Sequence, residues 1–130
     1  MPQASDLMGL SMPPFLADQL GNTLQSVTGT GTTQAGAAKI YSEGHLVLVT
    51  GASSQTGAIL SSGAKIGTPY FVYSVGSAAA VIYPSSTTGT INGGSAGAGF
   101  TCSAAVSGYV FMKTAQTSAG VDTWYTLPKV

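Results

Sequence analysis

Tyr70-Phe71-Val72-Tyr73-Ser74-Val75 is β-branched or aromatic at every position but one. Such side chains pack well on a pleated surface and crowd a helix, so the run reads as a strand. Leu46-Val47-Leu48-Val49 on one side, and Tyr109-Val110-Phe111-Met112-Lys113 and Thr123-Trp124-Tyr125-Thr126-Leu127 on the other, read the same way. Ala80-Val81-Ile82-Tyr83 stops at Pro84, which has no N–H to give to a ladder. Phe100-Thr101-Cys102-Ser103 adds one more strand, with weaker ones at Ser26-Val27-Thr28, Ala38-Lys39-Ile40-Tyr41 and Ala58-Ile59-Leu60. Gly-Ser-Thr turns separate them, densest from Ser85 to Gly99. Turn signals recurring roughly every eight to twelve residues indicate an all-β sandwich or barrel, jelly-roll-like, of about eight or nine short strands.

Two textures divide the 130 residues. Residues 1–25 hold three of the four methionines, three of the six prolines and no lysine; they are expected to form an N-terminal arm before a β-domain at 26–130. Within the arm, Pro13-Pro14 followed by Phe15-Leu16-Ala17-Asp18-Gln19-Leu20-Gly21 predicts a two-turn helix. Proline suits the first helical position, and glycine suits the residue past the end. So short a helix needs a surface to dock on.

Charged residues make up 6% of the chain, against about a quarter in an average soluble domain. Four lysines balance four acids, leaving no basic face to neutralise phosphates; nucleic acid is therefore not an expected partner. A neutral, charge-poor protein tends to self-associate; covering by partners accounts for such a surface, and so does a surface of Ser, Thr, Asn and Gly, which hydrate without charge. Cys102 is the lone cysteine, so no internal disulfide is expected. With one histidine and four acids besides, no metal site or other cofactor is expected either. Met1 to Leu20 lacks the basic and apolar regions of a signal peptide, and no run reaches the roughly 18 apolar residues of a membrane span. Synthesis in the cytoplasm, with no membrane partner, is the expectation.

Leu48-Val49-Thr50-Gly51-Ala52-Ser53-Ser54-Gln55-Thr56-Gly57 resembles the phosphate-binding turn of short-chain dehydrogenases, and Tyr109 and Lys113 have the Tyr-x-x-x-Lys spacing of that family. Gln55 replaces the middle glycine, however, and Ala58-Ile59-Leu60-Ser61-Ser62-Gly63 does not sustain the helix a dinucleotide site requires. His45 reads as a surface or packing residue, because no serine stands in a nucleophile-elbow context. Cys102 reads as a small buried hydrophobe, Trp124 as core and Asp122 as a turn residue. No catalytic residues are assigned, and no enzyme is expected.

Gly31-Thr32-Thr33-Gln34-Ala35-Gly36-Ala37, Ala80-Val81-Ile82-Tyr83-Pro84-Ser85, Gly89-Thr90-Ile91-Asn92-Gly93 and Thr123-Trp124-Tyr125-Thr126-Leu127 occur in that order. The order resembles a β-domain recurrent among tailed-bacteriophage virion proteins. The arm, from Asp6-Leu7-Met8-Gly9-Leu10-Ser11-Met12-Pro13-Pro14, resembles the start of small phage capsid decoration (cement) proteins. The resemblance implies a homotrimer bound to the major capsid protein on the outer capsid surface of the virion, stabilising the shell, with no catalytic residues. Leu7, Met8, Leu10, Met12, Phe15, Leu16 and Leu20 are then the expected capsid or inter-subunit contacts. At roughly 25 cal/mol per Å2, burying such side chains is worth several kcal/mol before ordering costs. The alternative is a receptor- or glycan-binding head-fibre or tail-fibre module, working through loops at Ser85 to Gly99 and Thr114 to Asp122.

Overall fold

The computed structural model describes residues 24–42, 44–103 and 108–128. The proposed arm helix and all seven arm contacts, Leu7 to Leu20, lie outside the described residues. Ten strands run in chain order: β1 (Leu24–Thr28), β2 (Ala38–Lys39), β3 (Leu46–Thr50), β4 (Gly57–Ile59), β5 (Pro69–Ser74), β6 (Val81–Tyr83), β7 (Thr90–Ile91), β8 (Phe100–Thr101), β9 (Tyr109–Gln116) and β10 (Asp122–Leu127). A 3-10 turn at Gln34–Gly36 is the only helical element among the described residues, and the fold is all-β as expected. β1 begins at Leu24, so two residues on the arm side of the composition break belong to a strand.

Six strands form one sheet in the order β1-β3-β5-β9-β10-β7, and four form a second in the order β2-β4-β6-β8. The first eight strands therefore alternate between sheets. Up to β6 each strand that returns after crossing to the other sheet runs the same way as its neighbour, whereas β8 comes back antiparallel to β6 and β9 antiparallel to β5. β1, β3 and β5 pair parallel, as do β2, β4 and β6. Only β9 and β10, joined by the short turn at 117–121, are consecutive neighbours, and they pair antiparallel.

One core cluster draws side chains from both sheets. Val47, Val49, Val72, Phe111 and Trp124 come from the six-stranded sheet, Ala58 and Ile82 from the other, and Cys102 from just past β8; none retains measurable exposure. Fully burying a large apolar side chain is worth about 1.5–3 kcal/mol, so this contact is the main attachment between sheets. Phe100 adds edge-to-face contacts with Tyr109 and Phe111, at centroid distances of 5.1 and 5.6 Å.

Candidate interaction surface

Period-two alternation sorts the six-stranded sheet into two faces of different chemistry. The inward face carries the sheet's only charged side chains, Lys113 on β9 and Asp122 on β10, both fully buried. Asp122 opens strand β10 and faces the core; it is not the simple turn residue its position suggested. Its Oδ2 accepts the Ser85 backbone N–H and hydroxyl, each at 2.8 Å, and its Oδ1 accepts the Ser86 N–H at 3.1 Å. The indole Nε1–H of Trp124 also donates to Oδ2. Burial pushes the Asp122 carboxyl up, but the bonds from Trp124, Ser85 and Ser86 outweigh it and hold the group below its ordinary value. Gly89 lies so close to the carboxylate that a side chain there would collide with it.

Lys113 donates to the Ser62 carbonyl at 3.0 Å and to the Gln116 side chain, with its ammonium 5.7 Å from the centre of the Trp124 ring. Burial lowers its pKa, and the Asp122 charge opposes that shift. Tyr109 and Lys113 share a strand face, not a helical one, and Gly57 opens strand β4 where a dinucleotide site needs a helix. The Tyr109 hydroxyl instead accepts the Ser103 N–H at 2.9 Å. Gln55 also has a local task, accepting the Gly31 N–H at 2.8 Å.

The remaining singled-out residues pack. His45 stacks on Tyr70, centroids 5.1 Å apart and planes within 7°. Trp124 meets Tyr70 edge-on. Burial pushes the Cys102 thiol up to about 12. Among the described residues, no three His, Cys, Asp or Glu side chains gather as a metal site, and no helix is long and apolar enough to cross a membrane.

The outward face of the same sheet is different. Leu24, Leu46, Phe71, Val110 and Leu127 stand abreast across five strands, in direct register. Beside this row, Pro69, Met112 and Tyr125 form a second across β5, β9 and β10, and Leu48 and Tyr73 pair on the other side. Leu24 is 58% exposed, Phe71 44%, Tyr125 45% and Leu127 67%. Tyr73 lies across Gly108, where a Cβ would come within 2.7 Å of its ring. No strand of this sheet presents a charged group outward, since Lys113 and Asp122 both point in. Sequence reading named none of this surface: in Tyr70 to Val75 only Ser74 is neither apolar nor aromatic, so the run shows no polar face to mark the outside.

A hollow of about 260 Å3 opens between the ends of β2 and β4, lined by Lys39, Tyr41, Ser61, Ser62 and Ser85 among others. Tyr41 stands exposed at its side. Compared with known proteins, the chain matches no family model, no curated protein and no solved structure.

Proposed function

We propose that the chain is a structural virion protein that binds the outer surface of a phage capsid and stabilises the shell, as decoration or cement proteins do. The two sheets are read as the layers of a sandwich whose N-terminal arm reaches the major capsid protein. The observation that carries the structural part of this reading is the uncharged apolar face of the six-stranded sheet. Contiguous apolar surface of that extent on a small soluble domain marks a place that another protein covers. The capsid itself enters through the sequence resemblance, from the Gly31–Ala37 segment to the closing Trp124-Tyr125 strand.

The test is co-sedimentation of the purified protein with undecorated phage shells, counting copies bound per shell. Saturable binding in hundreds of copies is expected of a cement protein. Absence of binding to shells, with the protein present only at fibre stoichiometry, refutes it. The hollow beside Tyr41 favours a second reading, a glycan-binding fibre module, because an exposed aromatic ring next to several hydroxyls suits a neutral sugar. Its seat would then be the β2–β4 end, which the 85–99 loop reaches only at Ser85 and to which the loop at 114–122 contributes nothing.

A further inference from the structure

We infer that the outward face of the six-stranded sheet is a homotypic interface, covered by the same face of a second copy of this chain. The inference rests on the reading of the chain as an assembly protein, and it names the occupant of the face on which that reading stands.

Three observations select a second copy. The first is charge. An oppositely charged partner has nothing here to recognise, and two copies of an uncharged face meet without the like-charge repulsion that ordinarily keeps identical surfaces apart. The chain as a whole has zero net charge, so no long-range repulsion opposes the approach.

The second is area. A fully exposed large side chain offers on the order of 150–250 Å2. At the recorded exposures of Leu24, Leu46, Phe71, Tyr73, Tyr125 and Leu127, the face presents several hundred Å2. That approaches the roughly 800 Å2 that each partner contributes to a stable interface.

The third is shape. Five strands at about 4.8 Å spacing give a broad, gently twisted surface, and such sheets pack face to face with their strands nearly aligned. The rows of the two copies then interdigitate across the contact. A two-fold contact of this kind uses every residue of the row twice, and it makes a dimer where the resemblance implies a trimer. Phe71, on the central row with neighbours on both sides, is placed to be its anchor.

The experiment is sedimentation velocity on the full chain over a wide dilution series, with Phe71→Lys and Tyr125→Lys as interface variants. Thr101→Lys is the control, adding the same charge to an exposed position of the other sheet. The wild type and the control are expected to self-associate alike. Each interface variant should raise the dissociation constant by about tenfold or more, the loss expected from removing a central anchor. Thermal unfolding checks that each variant is folded; if Phe71→Lys is not, Tyr125→Lys in the neighbouring row decides. Self-association that neither variant weakens overturns the inference, as does a wild type that is monomeric throughout. In the second case hydroxyl-radical footprinting of Phe71 identifies what replaces the copy: a protected ring means that the chain's own residues 1–23 cover the face, and a reactive ring means that nothing does. Failure of shell binding with self-association intact sinks the capsid reading alone.

Discussion

Replacing Asp122 with alanine removes the acceptor for four donors at once, those of the Ser85 backbone and hydroxyl, the Ser86 backbone and the Trp124 indole. The Ser85 hydroxyl can rotate toward water, and the half-buried Ser86 N–H can be partly hydrated. The Trp124 indole has no such escape, because the side chain is fully buried. A buried donor left without an acceptor costs about 1–3 kcal/mol, and the substitution also leaves the Lys113 ammonium without its counter-charge. The expected loss is about 3–5 kcal/mol, a large share of the roughly 5–15 kcal/mol that holds a small domain together. Asp122→Asn keeps the shape but turns an NH2 group toward donors, so about 2–4 kcal/mol is expected. Urea unfolding measures both, with an unchanged slope showing that the transition stays comparable. The acid limb supplies a second readout. The native pKa of Asp122 is lowered, so its contribution is complete above the unfolded value, about 3.9, and is lost as pH falls through the lower native one. Asp122→Asn should lack that part of the acid loss. If Asp122→Ala unfolds within about 0.5 kcal/mol of the wild type, below the roughly 1–3 kcal/mol of a single orphaned buried donor, the carboxylate is not what fastens the 85–86 loop to β10.

Gly89→Ala drives a Cβ into the same carboxylate and should cost about 1–3 kcal/mol in urea unfolding, as overpacking does. Lys113→Met keeps the volume and removes the buried charge; a change within about 1–2 kcal/mol of wild type is expected, whereas Lys113→Ala should cost more by leaving a cavity. Because burial lowers the Lys113 pKa, the unfolded chain binds its proton more tightly, and stability should rise with pH between the lowered native value and the unfolded one; Lys113→Met should lose that slope in an alkaline urea series. Cys102, fully buried with its thiol pushed up to about 12, should resist a disulfide reagent in native buffer and react once urea opens the chain.

Nine of the ten strands were legible, because aromatic and β-branched clusters bounded by glycine mark them one by one. β7 was not: Thr90–Ile91 is two residues inside the Gly-Ser-Thr stretch from 85 to 99, and only its pairing with Thr123 and Trp124 makes it a strand. The division into two sheets and the parallel pairing were also out of reach, since they depend on which distant strands meet rather than on local preference. Asp122 illustrates the same limit at a single residue. Beside Thr123-Trp124 it has the local signature of a turn, and its function lies with Ser85 and Ser86, 37 and 36 positions away. The exposed face was hidden for another reason. Both sides of β5 are apolar, and a strand of that composition reads as covered on both sides without saying what covers the second.

The buried ions and the bare outer face belong to one arrangement, because β9 and β10 carry both. Lys113 and Asp122 alternate along these strands with Met112, Tyr125 and Leu127, so the register that sends the charges in sends the apolar side chains out. A slip of one residue inverts both strands' faces. It would place two charges outside and remove Phe111 and Trp124 from the core, where neither has any exposure now. The ladder shifts between Thr123 and Trp124, and the irregularity separates the start of β10, where Asp122 meets the 85–86 loop, from the regular pairing that follows. With Asp122 bonded to Ser85 and Ser86, and Lys113 to Ser62, a slipped pairing loses every bond that ties these two charges to the loops outside their strands. The inward charges thereby hold the alignment of the outward rows. A sheet that kept these two charges on the outside would have to strip water from both before that face could be covered.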